Sequence, residues 1–263
     1  MTADPTIYGS ERMAAAYAFS RPPVHRHVAL RVASYLGRAC PVDAALDIGC
    51  GAGASTAALA PVARRRVGIE PYASMLTHAR TVAPEAGWCV GRAEALPFVH
   101  GAFDLVTAAG ALNYVDLESS LSEVARVMSS RGLFVPYDFS AGRRLRDDDR
   151  LSDWHREFRR RFPASPGYSL DLRTLEYGRH GLDLACYEEV EIEIAMSLGT
   201  YVDYILGESG VERALSAGRS EPEIRRYCEE SLRSVLSDSV REVVFDAQIA
   251  YVRKRQFSLE VTS

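Results

Sequence analysis

Apolar and polar residues follow two different patterns along the chain, and the pattern changes near Pro41. Before it, residues 11–19 and 24–37 carry apolar side chains at helical spacing, and a Pro-Pro pair separates the two stretches. After it, short apolar runs alternate with amphipathic stretches. This alternation predicts strands at 44–49, 65–71, 87–93, 103–112 and 132–139, with helices at 55–63, 72–83 and 117–128.

Strands that alternate with helices predict a parallel sheet covered by helices on both faces. Right-handed crossovers bring the C-terminal ends of such strands to one edge, where ligands bind. The second half of the chain is less regular and predicts helices at 142–163, 201–218 and 220–239 and alternating strands at 186–198 and 242–255. The two alternating strands predict an antiparallel pair, and we expect the two helices between them to cover the ligand edge as a lid.

Composition narrows the classes of partner. The 263 residues are 47% hydrophobic, which is enough for a large core, and their net charge is −4. This charge provides no field that attracts a phosphate backbone, so nucleic acid is not expected as a main partner. Five cysteines without CxxC spacing favour reduced thiols and a cytoplasmic location. The opening MTADPTIYGSERM lacks the apolar region of a signal peptide, and no apolar run reaches the roughly 18 residues of a membrane span, so no membrane partner is expected.

The stretch AALDIGCGAGASTAALA ends a predicted strand at Asp47 and continues into a helix through three glycines, Gly49, Gly51 and Gly53. Glycine lets a backbone turn tightly and approach a ligand, and the N–H groups that begin a helix bind anions. The stretch is not a P-loop, because GxxxxGK[ST] is absent, and it lacks the GxGxxG turn of a Rossmann-type oxidoreductase in a usable register. Glu70 ends the second strand about twenty residues later, where a carboxylate can accept hydrogen bonds from two ribose hydroxyls.

Four stretches together resemble the successive motifs of class I S-adenosylmethionine-dependent methyltransferases: DIGCGAG, VGIEPYASML, GRAEALPFVHGAFDLVTAAGALNYVD and RGLFVPYDFS. The likeness is to the small-molecule branch that includes ubiquinone/menaquinone-biosynthesis and trans-aconitate methyltransferases, and AAAYAFSRPPVH resembles the opening of that branch. The resemblance covers residues 12–140. It implies an α/β, Rossmann-like, seven-stranded, mostly parallel sheet with an antiparallel last strand, helices on both faces and a helical lid.

The resemblance also implies S-adenosyl-L-methionine as cofactor, S-adenosyl-L-homocysteine as product, and a cofactor role for each matching position. The methionine end would lie near Tyr17, Arg21, Asp47, Gly49, Cys50, Gly51 and Gly53, the sulfonium above Ala109 and Gly110, the ribose at Glu70, and the adenine among Pro71, Tyr72, Met75, Arg92, Ala93 and Glu94. Asp47 would lie near the amino group and Arg21 would pair with the carboxylate. The family often has an aspartate where this chain has Arg92, so Ala93 or Glu94 is expected to bind the adenine edge instead.

Candidate catalytic and acceptor-binding residues are fewer. Methyl transfer needs a base only when the acceptor loses a proton, and the candidates are Tyr17, His25 and Asp138. Relatives often carry a histidine pair where this chain has Asn113 and Tyr114, which are expected to bind the acceptor together with Tyr201 and Tyr204 of the predicted lid. Aromatic lining favours a medium-sized, partly apolar acceptor. No metal site is predicted, because the acids at 147–149 fall in a charged stretch that is expected to be solvated.

Two functional hypotheses keep the cofactor site. The first is methyl transfer to an O, N or C of a small molecule, in specialised metabolism. The alternative is a methyltransferase-like protein that uses the bound cofactor as a scaffold for a cyclisation or rearrangement. An oxidoreductase and a regulatory binding module fit the motifs less well, and base-flipping methylation is not expected because AGALNYV lacks the Pro-Pro clamp. The sequence leaves open whether the protein is a monomer or a homo-oligomer.

The predicted organisation has four segments. Residues 1–40 are N-terminal helices that cover the cofactor site, and 41–140 are the cofactor-binding core. Residues 141–241 hold the remaining core elements and the lid, and 242–263 form the last strand and a tail.

Overall fold

A computed structural model describes residues 10–146, 148–163, 170–236 and 239–255. Its strands are β1 (Val42–Ile48), β2 (Ala63–Glu70), β3 (Gly87–Val90), β4 (Phe103–Ala109), β5 (Met128–Phe139), β6 (Arg144–Leu145), β7 (Leu182–Met196) and β8 (Arg241–Lys254). Its α-helices are α1 (Glu11–Phe19), α2 (Val24–Leu36), α3 (Ala54–Ala58), α4 (Ala73–Val82), α5 (Leu117–Val127), α6 (Arg150–Arg161), α7 (Leu198–Leu206), α8 (Ser209–Ser216) and α9 (Glu221–Leu236). Short 3₁₀ turns occupy Gly37–Ala39, Ala111–Tyr114 and Tyr177–His180.

The strands form one sheet in the order β3-β2-β1-β4-β5-β8, parallel from β3 to β5, with β8 antiparallel to β5. β7 pairs antiparallel with the whole length of β8 on its other side, and the short β6 pairs with β8 beyond the end of β5. The predicted parallel sheet with an antiparallel last strand is confirmed. The two-residue β6 is an additional strand that is too short to show in the hydrophobic pattern.

The chain order reverses between β1 and β4, because β2 and β3 extend the sheet in one direction and β4 and β5 in the other. A crevice therefore opens above the C-terminal ends of these two strands, since their following loops diverge to opposite sides. β1 reaches this edge with Asp47 beside Thr107 of β4. The register brings the glycine stretch that follows β1 next to the turn that follows β4.

Apolar side chains cover both faces of the sheet, as expected for buried parallel strands. On one face Leu105 and Leu133 pack with α2, α6, α7 and α9 in a large cluster. On the other face Val106 and Phe134 pack with α5. The two faces alternate along each strand, so neighbouring residues 105 and 106 belong to different clusters.

The predicted helices are shorter than the hydrophobic pattern suggests. The stretch predicted as one helix at 201–218 forms α7 and α8, which are separated near Gly207. α7 begins at a capping box in which the side chains of Ser197 and Thr200 bond to each other's backbone N–H groups. The helix predicted from residue 142 begins at Arg150, because the preceding residues form β6. Within the described ranges, no helix combines the length and apolar character needed to cross a membrane.

Candidate active site

A cavity of about 680 Å³ lies at the C-terminal edge of the sheet. Its walls come from the loops that follow β1, β2, β3, β4 and β5, and from the connection between α1 and α2. The volume lies in the range of small-molecule and cofactor sites. Of the site residues predicted from the sequence, the following line it: Tyr17, Arg21, His25, Gly49, Cys50, Gly51, Glu70, Pro71, Tyr72, Met75, Arg92, Ala93, Glu94, Ala109, Gly110, Asn113, Tyr114 and Asp138.

The glycine turn after β1 forms the floor of the cavity. Gly49 and Gly51 have φ angles of 65° and 53°, which other residues adopt with strain. A Cβ on Gly49 would lie 2.5 Å from the Cβ of Ala111, so this turn packs against the turn after β4 only because position 49 has no side chain. A Cβ on Gly51 would meet nothing within 4 Å, so its backbone is open toward the cavity.

Glu70 joins the end of β2 to this turn. One carboxylate oxygen accepts a hydrogen bond from the backbone N–H of Gly51 at 3.0 Å, and the other accepts one from Tyr72 at 3.2 Å. Burial raises the pKa of Glu70, and these two N–H donors act in the opposite direction. Each oxygen retains a lone pair, so the carboxylate can still accept hydrogen bonds from a ligand.

The structure corrects the predicted role of Asp47, which does not line the cavity. Asp47 is fully buried, and its two oxygens accept hydrogen bonds from Ser55 (2.6 Å), Thr56 (2.7 Å) and Thr107 (2.8 Å). Burial raises its pKa, and the three hydroxyl donors lower it. Asp47 therefore holds the beginning of α3 and strand β4 against the end of β1.

Gly53 is a second correction, since it also lies outside the cavity lining. A Cβ at this position would come 2.9 Å from the Trp88 ring and 3.0 Å from the Cβ of Ala79. The glycine thus allows close packing of the loop on α4 and β3. The helix that it caps, α3, has five residues and is shorter than the helix predicted at 55–63.

The loops after β2 and β3 form the end of the cavity where adenine was predicted. Met75 is buried and packs with Met13 and Ala14 of α1. Glu94 accepts a hydrogen bond from the backbone N–H of Asp116 at 3.1 Å and forms an ion pair with Arg92 at 3.5 Å. Glu94 therefore presents a carboxylate at this end, in place of the aspartate that the family often has at position 92.

The N-terminal helices cover the cavity. The guanidinium carbon of Arg21 lies 3.9 Å above the Tyr17 ring. α1 packs against α4 and α7. Arg12 on α1 donates to the carboxylate of Glu212 (2.6 Å) and to the carbonyl of Leu206 (3.2 Å), and these bonds connect α1 to the helices beyond the sheet edge.

The ends of β4 and β5 line the remaining part of the cavity, which we call the acceptor end and define by Gly110, Asn113, Asp138, Phe139 and His25. Asp138 accepts hydrogen bonds at 2.8 Å from the side-chain amide of Asn113 and from the backbone N–H of Phe139. Burial raises the pKa of Asp138. Nδ1 of His25 lies 2.8 Å from the hydroxyl of Tyr137. Burial and the nearby Arg21 lower the pKa of His25 to about 4, so its ring is neutral at neutral pH.

The two lid tyrosines are the third correction, because neither lines the cavity. The side chains of Tyr201 and Tyr204 are buried in the core, and their hydroxyls donate to the carbonyls of Gly142 (2.9 Å) and Ala141 (3.0 Å). Aromatic residues at helical spacing usually pack into a core, and here they pack on the sheet face beside Phe245.

Several cavity residues were not predicted from the sequence. All but Ser55, which lies two residues after Gly53, are next to a predicted position: Ile48, Ala52, Ala54, Ser55, Ile69, Gly91, Ala111, Val115 and Phe139. Their adjacency to predicted residues was the signal that could have identified them, because a loop that lines a ligand cavity exposes consecutive residues to it. Tyr137 does not line the cavity, and adjacency gives no signal for its contact with His25, because the two residues are 112 positions apart.

The described ranges contain no group of three metal-ligating side chains. Of the acids predicted to be solvated at 147–149, Asp147 lies outside the described residues. Asp148 is not solvated, because its side chain is 14% exposed and pairs with Arg150 and Arg241.

Comparison with known proteins finds one family that the central part of the chain resembles. Residues 46–135 match a family model described as a methyltransferase domain. The chain is 32% identical over 136 residues to the uncharacterized methyltransferase YcgJ of Bacillus subtilis (43% of this chain, 54% of the relative), and 37% identical over 101 residues to the uncharacterized methyltransferase sll0829 of Synechocystis (37% of this chain, 48% of the relative). The matched region thus spans about half the length of these curated relatives.

The fold is also found among solved structures. A candidate type II methyltransferase from Anaeromyxobacter dehalogenans superposes with a TM-score of 0.64 at 20% identity, covering 85% of this chain and 95% of that one. The matched domain contains the glycine turn after β1 and the acid that ends β2. The strand order agrees with this match. Residues 46–135 are therefore similar to a methyltransferase domain, and the fold is that of the solved methyltransferase.

Proposed function

We propose that the cavity binds S-adenosylmethionine and that the protein transfers its methyl group to an O, N or C of a small, partly apolar molecule. The observation that carries the proposal is the hydrogen bond between Glu70 and Gly51, which brings a carboxylate at the end of β2 and a glycine turn to one cavity. When bound, the cofactor supplies a methyl group on a positively charged sulfur. The chain's own residues bind the cofactor and the acceptor, orient them relative to each other and exclude water.

The residues present fit this cofactor. The backbone at Gly49 and Gly51 leaves room for the methionine part, since a Cβ at Gly51 would extend into open space. Glu70 would accept hydrogen bonds from the ribose hydroxyls. Tyr72 and Met75 would pack on the adenine, with Glu94 in reach of its amine. Arg21, held over Tyr17, would pair with the carboxylate, so we assign Tyr17 a supporting role and not a proton-transfer role.

The acceptor end supplies the groups that would handle a proton. Asp138 is fixed by two hydrogen bonds and lines the cavity, and its pKa is raised by burial. A carboxylate in this setting accepts a proton from a hydroxyl or an amine more readily than a solvated one. The walls beside it are largely apolar, with Ala109, Val115 and Phe139, which supports a partly apolar acceptor.

We further propose that the four segments predicted from the sequence have different roles. Residues 1–40 would cover the cofactor and 41–140 bind it, whereas 141–241 complete the core and 242–263 end the sheet. The described parts of α1 and α2 support the first assignment, because Tyr17, Arg21 and His25 line the cavity. A role in specialised metabolism and a cytoplasmic location stay predictions of the sequence, which leaves the choice between monomer and homo-oligomer open.

Calorimetric titration of the full chain with S-adenosylhomocysteine and, separately, with NAD tests the cofactor. Binding of S-adenosylhomocysteine alone is expected, and binding of NAD alone would refute the proposal. Gly51→Arg should abolish binding. Gly181→Arg is the matched control, because Gly181 also has a positive φ (66°) and open space around its Cβ, but lies outside the cavity lining.

An isotope label on the methyl group of the cofactor distinguishes methyl transfer from the alternative in which the cofactor is only a scaffold. With methyl-labelled cofactor and a panel of hydroxyl- and amine-bearing acceptors, the proposal expects labelled product and a matching amount of S-adenosylhomocysteine. Product formation that leaves the cofactor unconsumed would instead support a cyclisation or rearrangement on the bound cofactor.

A further inference from the structure

The hydroxyl of Tyr137 has an unusual environment. The residue is buried, and Nδ1 of His25, at 2.8 Å, is the hydrogen-bond partner found for the hydroxyl within the described part of the chain. Asp47 influences Tyr137 electrostatically, but its oxygens already accept hydrogen bonds from three other hydroxyls. The tyrosine hydrogen therefore has one acceptor available to it, which is the imidazole.

This contact determines where the proton of His25 lies. A neutral imidazole carries one proton, on Nδ1 or on Nε2. If the proton were on Nδ1, it would point at the Tyr137 oxygen and leave the tyrosine hydrogen buried without an acceptor, which is costly. If it is on Nε2, Tyr137 donates to Nδ1 and both groups are satisfied. Because burial and Arg21 lower the pKa of His25 to about 4, the doubly protonated ring does not compete at neutral pH.

The second ring nitrogen of His25, Nε2, is available to bind a ligand. His25 lines the cavity, and among residues the structure describes no protein partner is found for Nε2. Arg21 lines the same cavity and adds positive charge to this side. An N–H donor beside a guanidinium is suited to an oxygen with free lone pairs.

Asp138 approaches the cavity from the other face of β5. Along this strand Tyr137 and Phe139 contact His25, whereas Asp138 contacts Asn113. The acceptor end therefore has donors on one side and a carboxylate on the other. The Asp138 carboxylate accepts hydrogen bonds from two neutral N–H groups. No cation contributes to the shift of its pKa.

We propose that His25 is a hydrogen-bond donor and not a base: its Nε2–H binds a carbonyl or anionic oxygen of the methyl acceptor, while Asp138 takes the acceptor's proton and Tyr137 positions the histidine. This inference rests on the proposed function. It names the substrate class, a small molecule that carries a hydroxyl or amine nucleophile together with a second, hydrogen-bond-accepting oxygen, such as a hydroxy ketone or a hydroxy acid.

With a hydroxyl nucleophile, methyl transfer conserves protons and electrons. The O–H proton moves to the Asp138 carboxylate while an oxygen lone pair bonds to the methyl carbon, and the electrons of the broken carbon–sulfur bond stay on sulfur. Asp138 later releases the proton to water. His25 forms no covalent bond and keeps its proton throughout.

The tautomer is measured directly in the full chain by NMR of ¹⁵N-imidazole-labelled histidine between pH 6 and 8, with the His25 signals assigned by their loss in His25→Gln. We expect the proton on Nε2 in the wild type, and a substantial Nδ1–H population in Tyr137→Phe. A proton on Nδ1 in the wild type would overturn the proposal. This readout needs no ligand, so it stands even if the proposed cofactor does not bind.

The substrate class is tested with matched probes in the presence of S-adenosylhomocysteine. The three hydroxyacetophenones carry a carbonyl oxygen that the three corresponding ethylphenols lack. We expect at least one ketone to bind about tenfold more tightly than its ethyl partner, in line with the value of a satisfied buried donor. Absence of any ketone preference in the wild type overturns this part of the proposal.

Two substitutions separate a donor from a base. Glutamine can donate a hydrogen bond but cannot accept a proton, so His25→Gln should retain the ketone preference, and His25→Phe should lose it. Loss of the preference in both variants, with methyl transfer lost as well, would indicate that the basic nitrogen of His25 is required and would refute the donor role. Failure of S-adenosylhomocysteine to bind the wild type would refute the proposed function instead.

Discussion

The backbone N–H of Gly51 donates a hydrogen bond to the Glu70 carboxylate at 3.0 Å, across 19 positions of the sequence. This bond joins the glycine turn after β1 to the end of the neighbouring strand β2. Glu70 is 6% exposed, and the N–H groups of Gly51 and Tyr72 stabilise its carboxylate. The position of the carboxylate and the shape of the turn therefore depend on each other.

Glu70→Gln should weaken cofactor binding strongly. The change removes the negative charge that would accept the ribose hydrogen bonds, and it loosens the turn at Gly51. We expect the Kd for S-adenosylhomocysteine to rise by about 10- to 100-fold, the equivalent of about 1.4–2.8 kcal/mol, measured by titration calorimetry. Glu85→Gln, an exposed acid outside the cavity lining, serves as control and should leave the Kd unchanged. An unaltered Kd in Glu70→Gln would exclude the ribose role.

Thr107→Val should destabilise the fold, because it removes one of three hydroxyl donors to the buried Asp47 carboxylate. We expect the free energy of unfolding to fall by about 1.5–3 kcal/mol at pH 8 in urea denaturation. Thr81→Val, on the exposed side of α4, should change it by less than about 0.5 kcal/mol.

The loss of unfolding free energy in Thr107→Val should depend on pH. Burial raises the pKa of Asp47 above its unfolded value, so the folded state binds this proton more readily and Asp47 costs stability as pH rises through the raised pKa. The Thr107 hydroxyl lowers that pKa by stabilising the charged form. The loss caused by Thr107→Val should therefore shrink as pH falls toward the raised pKa. A loss that stays constant with pH would show that Asp47 does not change its protonation state in the folded protein over this range.

Tyr201→Phe should affect stability and leave binding intact. The Tyr201 hydroxyl donates to the Gly142 carbonyl inside the core and does not line the cavity. We expect a loss of about 1 kcal/mol in the free energy of unfolding and unchanged affinity for S-adenosylhomocysteine and for the acceptor probes. A selective loss of acceptor affinity, with stability preserved, would restore Tyr201 as a substrate-binding residue.

The pH profile of methyl transfer should report Asp138. A base must be ionised, so the rate is expected to fall as pH decreases through the pKa of Asp138, which burial raises above its usual range. Asn113→Ala removes a hydrogen bond that lowers this pKa, and it should move the midpoint to higher pH. No hydrogen bond joins His25 to Asn113 among the described residues, so a midpoint that reported protonation of His25 is expected to stay unchanged in Asn113→Ala. Circular dichroism over the same pH range serves to separate loss of activity from acid unfolding.

Much of the fold follows from local patterns. The alternation of apolar runs and amphipathic stretches predicts the strands β1 to β5 and the helices between them, and parallel pairing then places their loops at one edge. For the same reason the predicted positions after β2, β3, β4 and β5 line one cavity. Near the ends of elements the pattern is weaker, so the predicted helix at 142–163 includes the residues of β6.

By itself the sequence determined the sheet, its ligand-binding edge and the family motifs, because these depend on periodicity and on spacing along the chain. Only the tertiary structure decided which polar groups face the cavity. Asp47 turns into the protein because the strand register places Thr107 beside it, and Tyr201 and Tyr204 turn into the core because their helix packs on the sheet. The pairing of His25 with Tyr137 likewise exists only where α2 crosses the end of β5, since hydrogen bonds between distant residues leave no pattern in a single sequence.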